Sequence, residues 1–467
     1  MVIIMNNRFR VYLFLMLGLV VLGVGLFLYF RTDEKVLPSE VEEQNEILYF
    51  WYTDEAMSDY YNLAATTFNK ENQGITIYPN LIEGTEFIEK IYKASNAKKD
   101  APDIYITSND TLEKAYLAGI AKPIVDDEIV ADFPKTAIDA VTYNGQIVGY
   151  PYYYETSTFI YNKSILEEIA YNLLMTPEPN EEEEETQEVE FTPYKELLED
   201  EKASLMPQIK EKADTLLPKT VDELLSLANT ITAPEGMEYL FKWDINDIFF
   251  NYFYVGAYMN VGGPQGDNSD NIDIYNDNAV KGLEVFQQLT TFFYIDADEV
   301  SREKIIDEFL EGKVLFSIVD SDSANRLELA KSDEENPLNF EYGYSLVPNP
   351  SKEIEGKSLS VTQTVVINGY SKKAEEAKKF AKFLVDGYTS NLYEKTKKLT
   401  TNQTVEAKTE LEKNFREEYN KSMPMPKMLA TNNFWMHLEN VFSDVWRGAD
   451  IKLELEKLQE KIKNQIP

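Results

Sequence analysis

Short apolar runs alternate with amphipathic helical patterns along most of this chain, and this alternation restricts its fold more than any other feature. The run ILYFW, residues 47–51, is typical of a buried strand, and apolar residues from Met57 to Phe68 then recur at helical spacing. The same order returns in GITIYPNLI, GTEFIEKIYKAS, PDIYITS and NDTLEKAYLAGI. Because strands that alternate with helices form parallel sheets with helices on their faces, the sequence predicts an α/β fold.

The second half of the chain repeats this order. The segment SREKIIDEFLEGKVLFSIVDS predicts a helix that ends at Gly312 and then a strand, and VTQTVVINGYSKKAEEAKKFAKFLVDG predicts a strand and then a helix.

In the stretch NGQIVGYPYYYETSTFIYNKSIL, Gly145 predicts a tight turn, and three tyrosines, residues 152–154, follow in a strand. Successive side chains of a strand point to opposite faces, so we expect at least one of these tyrosines to lie outside the core.

The ends of the predicted strands locate a candidate site. Sheets of this kind bind ligands beyond the carboxyl ends of their strands. Trp51 and Tyr52 lie at the end of the first predicted strand, and Asn109 and Asp110 follow the third. Trp51 can equally be a core aromatic, and Tyr52, which points the opposite way, is the better candidate for a cleft. Asp110 can also cap the helix that follows it.

Composition excludes several classes of protein. Acidic residues number 81 against 45 basic ones, a formal net charge of −36, so long-range repulsion argues against a nucleic-acid partner. The chain has no cysteine, which removes disulfides, thiolate metal sites and cysteine nucleophiles. With a single histidine, His437, histidine-ligated zinc and most catalytic triads are implausible, and we expect no metal and no cofactor.

The N-terminus predicts a membrane anchor. Residues 11–30 form an uncharged apolar run of 20, about 30 Å long as a helix, which matches the hydrocarbon core of a bilayer. Arg8 and Arg10 precede the run, so the positive-inside rule places the rest of the chain outside the cytoplasm. A cleaved signal peptide is the alternative, but the run is long for one and no A-x-A-like cleavage site follows. We therefore expect residues 1–45 to be a single-pass cell-membrane anchor and an acidic tether.

An acidic segment interrupts the α/β pattern in the middle of the chain. Between Glu178 and Glu201, 12 of 24 residues are acidic and one is lysine. A block of like charge is typical of a solvated, mobile segment, whereas the rest of the interruption, up to TLLPKT, is helix-like. We therefore predict an acidic insertion over residues 172–217, after which the α/β pattern resumes at PKTVDELLSLANTI.

Eight segments of this chain follow one another in the order found in a known family of proteins. They are FWYTDE, APDIYITSND, YLAGIAKPI, VGYPYYYETSTFIYNKSIL, LPKTVDELL, FLEGKVLFSI, MPMPKMLATNNFW and the closing helix. In this order they resemble the extracellular solute-binding proteins of ABC importers, family 1, and within that family the maltose/maltodextrin-binding group. The resemblance covers residues 46–464 apart from the acidic insertion.

The resemblance implies a two-lobed, periplasmic-binding-protein-like fold of type II, in which each lobe is a sheet flanked by helices. The chain would cross between the lobes near residues 153–157, 360–364 and 411–416. The implied lobes are continuous in space but not in sequence. Lobe 1 would comprise residues 46–153 with 365–412, and lobe 2 residues 154–364 with 413–467.

The resemblance also implies a function. Members of the family capture a solute in the cleft between the lobes, close by hinge bending, and present the solute to a membrane permease without changing it chemically. We therefore expect a monomer that is not an enzyme, with its binding domain on the extracellular side of the cell membrane. The expected partners are a carbohydrate ligand, with an oligosaccharide favoured, and the transmembrane permease subunits of an ABC transporter.

Sugars combine apolar faces with rings of hydroxyls, so a sugar site needs flat aromatic side chains together with carboxylates or amides. Trp435 matches the stacking tryptophan of the family and is the best single candidate. Glu155 matches an acid beside the hinge, and Asp244 and Asn246 align with ligand contacts of the second lobe. The full set of predicted ligand contacts is Trp51, Tyr52, Glu55, Asn109, Asp110, Tyr154, Glu155, Asp244, Asn246, Asp322 and Trp435.

One segment departs from the family pattern. Maltodextrin binders carry a second stacking tryptophan after the strand KVLFSI, where this chain has the sequence DSDS, residues 320–323. Other oligosaccharides therefore stay open, and a carboxylate such as Asp322 would instead suit a cationic solute. A binder of cationic solutes or peptides on the same scaffold is the alternative. A carbohydrate-active enzyme with paired carboxylates is a weaker one, because acids at this density form pairs by chance.

Overall fold

The computed structural model describes residues 46–124, 129–176, 191–431 and 433–466. The predicted anchor and tether, residues 1–45, and the pentaglutamate of the insertion lie outside the described residues. No helix among those described is long and apolar enough to cross a membrane.

The strands of the described residues are short except for one in the middle of the chain. They are β1 (Glu46–Tyr52), β2 (Ile75–Leu81), β3 (Ile104–Ser108), β4 (Thr142–Tyr143), β5 (Gln146–Ile147), β6 (Tyr150–Asn162), β7 (Tyr239–Phe241), β8 (Asn260–Val261), β9 (Ile272–Asp273), β10 (Val314–Asp320), β11 (Tyr342–Ser345), β12 (Leu359–Ile367), β13 (Leu399–Thr400) and β14 (Met423–Pro424).

Helices follow most of these strands. The α-helices are α1 (Ser58–Glu71), α2 (Phe87–Ala97), α3 (Leu112–Leu117), α4 (Ile129–Asp132), α5 (Lys135–Val141), α6 (Lys163–Met175), α7 (Glu199–Leu216), α8 (Val221–Thr230), α9 (Ile248–Asn251), α10 (Asp277–Gln288), α11 (Arg302–Leu310), α12 (Ser321–Lys331), α13 (Ala374–Lys382), α14 (Leu392–Thr396), α15 (Glu410–Lys421), α16 (Phe434–Trp446) and α17 (Ile451–Lys463).

Ten of the described strands form one mixed sheet. Its order is β2-β1-β3-β12-β6-β10-β7, with β11 and β13 also paired to β6 and β14 paired to β12. β1 runs parallel to β2 and β3, and β10 runs parallel to β7, as the predicted alternation of strands and helices requires. β12 and β6 are antiparallel to each other and to their outer neighbours. They therefore connect two parallel parts of the sheet.

β6 passes through both parts of the sheet. Its first half, residues 150–156, pairs with β12, and its second half, residues 157–162, pairs with β10 and β11. Every residue of this strand except Glu155 is buried. Strands covered on both faces read as nearly continuous apolar and aromatic runs rather than as an alternation. The sequence YPYYYETSTFIYN is therefore that of a central strand.

The expectation that one of the tyrosines 152–154 lies outside the core is wrong. None of the three is more than 3% exposed. Tyr154 stacks on Tyr419 of α15 with ring centroids 3.9 Å apart, and Tyr152 packs against Tyr61 of α1. The pairing with β12 also shifts its register opposite these tyrosines, so strict alternation between two faces does not hold there.

Turns and helix ends agree with the sequence. Asn144 and Gly145 have positive φ angles of 49° and 70° and form the turn between β4 and β5. Gly312, with φ of 76°, follows the end of α11, and β10 comes next as predicted. The predicted succession of a strand and a helix after residue 358 is confirmed as β12 and α13.

Aromatic side chains hold the helices on the sheet. Phe50 of β1 lies edge-on to Tyr61 of α1 and to Phe380 of α13, with ring centroids 5.0 and 5.4 Å apart. In the other part of the sheet, Trp243 stacks on Phe241 at 4.3 Å. Edge-to-face and offset pairs of this kind add about 0.5 to 1.5 kcal/mol each to the burial of their rings.

Glu418 of α15 is a buried acid close to the crossing strands. It is 5% exposed and accepts hydrogen bonds from the backbone N–H of Val347 and the hydroxyl of Ser358. Burial raises the pKa of Glu418 from 4.5 to about 7, and the hydrogen bond from Val347 offsets only part of this effect. The folded state therefore binds this proton more tightly than the unfolded chain, so the group lowers stability as the pH rises from 4.5 to about 7.

We expect Glu418→Gln to raise the free energy of unfolding by up to about 3 kcal/mol at pH 8 and by much less at pH 5, because an amide carries no charge to bury. Thermal unfolding midpoints of variant and wild type at the two pH values measure this difference. Glu417→Gln is the matched control, since the Glu417 side chain is 59% exposed. An equal shift of the Glu418→Gln midpoint at both pH values would contradict the raised pKa.

Candidate functional site

Lys398 lies at the centre of a group of carboxylates. Its Nζ is 3.3 Å from Glu155 Oε1 and 3.3 Å from Asp322 Oδ1. The lysine side chain is 12% exposed, whereas that of Asp322 is 62% exposed, so the group opens to solvent on the Asp322 side. The charge of Asp54 also acts on this lysine. We call Asp54, Glu155, Asp322 and Lys398 the Lys398 cluster.

Strand pairing builds this cluster from distant segments. β13 pairs with β6 directly after Lys398, which brings the lysine beside Glu155. β10 pairs with the second half of β6, and Asp322 follows in the first turn of α12. Lys397, with φ of 62°, turns the chain between α14 and β13, and its carbonyl accepts a hydrogen bond of 3.1 Å from the side-chain amide of Asn325 in α12. Two contacts therefore join α12 to the turn before β13.

The pKa shifts in the cluster follow from burial and from this pairing. Burial raises the pKa of Glu155, and Lys398 offsets the effect only in part. Burial alone would lower the pKa of Lys398, but the carboxylates of Glu155, Asp322 and Asp54 raise it above its ordinary value. Lys398 is therefore charged at neutral pH, because its proton is held by the acids that surround it.

Arg302 pairs with a second set of acids. Its Nη2 is 2.8 Å from Asp247 Oδ2, and its Nη1 is 2.6 Å from Asp320 Oδ2. The other oxygen of Asp320 accepts a hydrogen bond of 2.7 Å from the backbone N–H of Ser323 and so caps α12. An ion pair and a helix cap therefore stand where the resemblance places the second stacking tryptophan.

Trp435 lies at the start of α16 and is half-buried. Its ring meets that of Tyr252 at 5.7 Å in an edge-on arrangement. Glu439 is one helical turn further along, and burial together with the charges of Asp247 and Asp244 raises the pKa of its carboxyl. This face of α16 therefore looks toward the loop that carries Asp244.

Asp244 and Asn246 form a local turn beside this face. The backbone N–H of Asn246 donates to Asp244 Oδ1 at 3.0 Å, and the Asn246 side-chain amide donates to the carbonyl of Ala297 at 2.7 Å. Burial raises the pKa of Asp244. Asp244 is thus a partly exposed acceptor, whereas the amide of Asn246 is already engaged in the fold.

Asn109 fastens the end of β3 to two other segments. It is fully buried, its amide donates to the carbonyl of Met425 at 2.7 Å, and its oxygen accepts from the backbone N–H of Thr362 at 2.9 Å. Asp110 accepts a hydrogen bond from the hydroxyl of Ser108, and burial raises its pKa. The alternative that Asp110 caps a helix is wrong: Ser108 and Thr111 hold the cap positions here.

The aromatics at the ends of β1 and in β6 face the interior. Tyr52 is 3% exposed and its ring lies 4.7 Å from that of Tyr61, while Trp51 is 9% exposed. Tyr154 lines a cavity of about 200 Å³ together with residues of α14 and α15. Glu55 is exposed in a 3₁₀ turn. Of the predicted set, the structure brings together Glu155 with Asp322, and Asp244 with Asn246.

Sequence reasoning did not find Lys398 or Arg302. The partners of Lys398 are 243 and 76 residues away in the chain, so no local spacing of residues predicts these contacts. The only signal is indirect: acids that are partly buried at one strand edge require a cation near them. Neither lysine nor arginine content says which residue supplies it.

A family profile described as bacterial extracellular solute-binding protein matches residues 64–416, which is most of the chain. The chain therefore belongs to this family, and the resemblance noted from its ordered segments is confirmed. Over 84 residues the chain is 31% identical to the maltotriose-binding protein of Pyrococcus abyssi (strain GE5 / Orsay). That alignment spans 17% of this chain and 18% of the relative, so it covers only a small part of either protein.

Solved structures share the fold over 90% of this chain. The extracellular solute-binding protein from Staphylococcus aureus, in complex with maltose, matches with a TM-score of 0.69 at 18% identity over 97% of its length. The maltose-binding periplasmic protein of Listeria monocytogenes, in complex with maltose, gives 0.68 at 20% over 98%. The maltotriose-binding protein of Thermus thermophilus, bound with maltotriose, gives 0.61 at 19% over 100%. The fold is the two-lobed α/β fold of solute-binding proteins.

We expect Asn109→Ala to lower the free energy of unfolding by about 2 to 4 kcal/mol, because it removes the partner of the buried Thr362 N–H and of the part-buried Met425 carbonyl. Chemical denaturation measures the change. Asn96→Ala, at an exposed position of α2, is the control and should cost far less. Unchanged stability of Asn109→Ala, accompanied by weaker ligand binding, would assign Asn109 to the ligand instead of the fold.

Proposed function

We propose that this protein captures a neutral oligosaccharide, of the maltodextrin class or one similar to it, in the cleft between its lobes. It then delivers the sugar to the permease of an ABC importer. The solved structures that share its fold hold maltose or maltotriose, which supports this class of ligand. The proposed ligand contacts are the members of the predicted set whose side chains stay partly exposed, chief among them Trp435, Asp244, Glu155 and Asp322.

The observation that carries the proposal is the setting of Trp435. The ring is half-buried and braced by Tyr252, so it is held in place while part of it stays accessible. The carboxylate of Glu439 lies one turn further along the same helix, and that of Asp244 lies close to Glu439 on the neighbouring loop. A fixed aromatic surface beside hydrogen-bond acceptors matches the apolar face and the hydroxyls of a sugar ring.

The charges near the site argue against the alternative of a cationic solute. Arg302 already pairs with Asp247 and Asp320, and Lys398 already pairs with Glu155 and Asp322. A cationic ligand would have to displace these internal cations, which are tethered at high effective concentration. A neutral sugar can instead donate hydroxyls to the carboxylate oxygens that remain.

The binding free energy expected from these contacts is large enough for a transport receptor. Hydrogen bonds from hydroxyls to carboxylates are worth about 1.5 to 3 kcal/mol each, and one ring stacks on Trp435. After the costs of ordering, a few such contacts support a dissociation constant of about 1 μM, or roughly 8 kcal/mol. Closure of the lobes around the bound sugar then distinguishes the loaded from the empty protein.

We propose that the protein acts at the outer side of the cell membrane. The apolar run at residues 11–30 anchors the protein to the cell membrane with both lobes outside, and the acidic tether gives them reach. Tethering keeps the lobes near the permease at high effective concentration. The lobe boundaries proposed for this protein are those implied by the resemblance, with β6 and β12 as two of the three crossings.

We expect maltotriose, at about 100 times its dissociation constant, to add about 2.7 kcal/mol to the free energy of unfolding. We expect Trp435→Ala to weaken this binding at least tenfold, because the stacking surface is lost. Isothermal titration of the full chain with maltose, maltotriose and longer maltodextrins measures the loss of binding, and unfolding with and without maltotriose measures the gain in stability.

Met436→Ala is the matched control for this experiment, because Met436 is the next residue of α16 and is 53% exposed. It should bind the sugar as the wild type does. Binding that is equal in Trp435→Ala and wild type would remove Trp435 from the site. Heat only with putrescine or peptides, and none with any sugar, would replace the proposed function by the cationic alternative.

A further inference from the structure

Lys398 occupies the space between two carboxylates that belong to different segments of the fold. Glu155 lies on the crossing strand β6, and Asp322 lies at the start of α12 beyond β10. The ammonium nitrogen is equally distant from both, at 3.3 Å. A small organic cation bound at this place would seek the same two oxygens. Lys398 therefore sits where the positive group of such a solute would sit.

The cluster remains negative in sum. Asp54, Glu155 and Asp322 carry three acids against the one ammonium of Lys398. Long-range attraction alone would favour a cation here, and the net charge of −36 adds to it. What opposes a cationic ligand is therefore local: the tethered ammonium already uses the two carboxylate oxygens.

The lysine is held in this position by its surroundings. Its side chain is 12% exposed, the pairing of β13 with β6 fixes the backbone directly after it, and Asn325 holds the carbonyl directly before it. An ammonium has three N–H donors, and the two carboxylates use two of them. Among the described residues, Glu155 and Asp322 are the acceptors within hydrogen-bond distance, so donor count leaves one N–H for the oxygen of a neutral ligand.

We propose that Lys398 is a specificity-determining residue, an internal counter-cation that reserves Glu155 and Asp322 for neutral, hydroxyl-bearing ligands and excludes cationic solutes. The inference rests on the proposed function, since it names how the same site rejects the competing class of ligand. Lys398 acts by occupying the place of the cation and by offering its remaining N–H to the sugar.

The test is isothermal titration of the full chain with putrescine as the cationic probe and maltotriose as the neutral one. Any detergent used must lack a sugar headgroup, because such a headgroup would compete. Lys398→Met keeps the length of the side chain and removes its charge. We expect this variant to bind putrescine about ten- to hundredfold more tightly than the wild type, because two carboxylates lose their charged partner.

Matched variants show whether an effect depends on the charge at position 398 or only on the net charge of the protein. Lys395→Met, an exposed position of α14 three residues away, removes the same charge from the protein and should leave the affinity for putrescine unchanged. Lys398→Arg keeps a cation in place and should also show no gain. Lys398→Gln is a polar second variant, to be used if circular dichroism shows that Lys398→Met does not fold.

Each outcome decides the inference. A gain for putrescine in Lys398→Met or Lys398→Gln, but not in Lys395→Met, supports it. Equal affinity for putrescine in the wild type and in both Lys398 variants overturns it, as does a gain of the same size in Lys395→Met. Failure of the wild type to bind any neutral sugar would instead refute the proposed function, while the putrescine titrations would still show whether Lys398 excludes cations.

Discussion

The pairing of β6 with different strands along its length is the constraint on which the rest of this structure depends. Its first half belongs with β12 and its second half with β10 and β11, so one strand carries the chain through both parts of the sheet. All residues of this strand but one are also buried. The exception is Glu155, which lies where the pairing passes from one set of partners to the other.

The position of Glu155 determines the electrostatics around it. A carboxylate at a central strand is costly unless a cation compensates it. The strands that pair with β6 bring that cation and a further acid to the same place, because Lys398 directly precedes β13 and β10 leads into Asp322. The same logic recurs nearby, where Arg302 pairs with Asp247 and Asp320. The acids of the candidate site are thus partly compensated by cations that belong to the fold.

Much of the architecture follows from the sequence, because strand and helix patterns are local. The alternation of apolar runs with amphipathic segments predicts β1 to β3, β10, β12 and the helices between them, and Gly145 and Gly312 mark a turn and a helix end. The tyrosines of β6 were misjudged because burial on both faces depends on neighbours far away in sequence. The sequence did not predict Lys398 and Arg302 as site residues for the same reason, since their partners are also far away in the chain. Side-chain chemistry indicates which residues suit a sugar site, whereas only tertiary pairing shows which acids already have partners.

The two internal cations differ in a way that suits the proposed closure of the lobes. Arg302 presents a planar fork to two acids, a rigid arrangement that fits a fixed surface. Lys398 is a point charge on a flexible stem, and its partner Asp322 is 62% exposed. An ion pair this exposed contributes about 1 kcal/mol at most, which changes an equilibrium between open and closed lobes by about fivefold. That is too little to hold the lobes shut without ligand. In the proposed mechanism, the differential affinity of the sugar for the closed form must therefore supply most of the closing free energy, and Lys398 selects which ligand may do so.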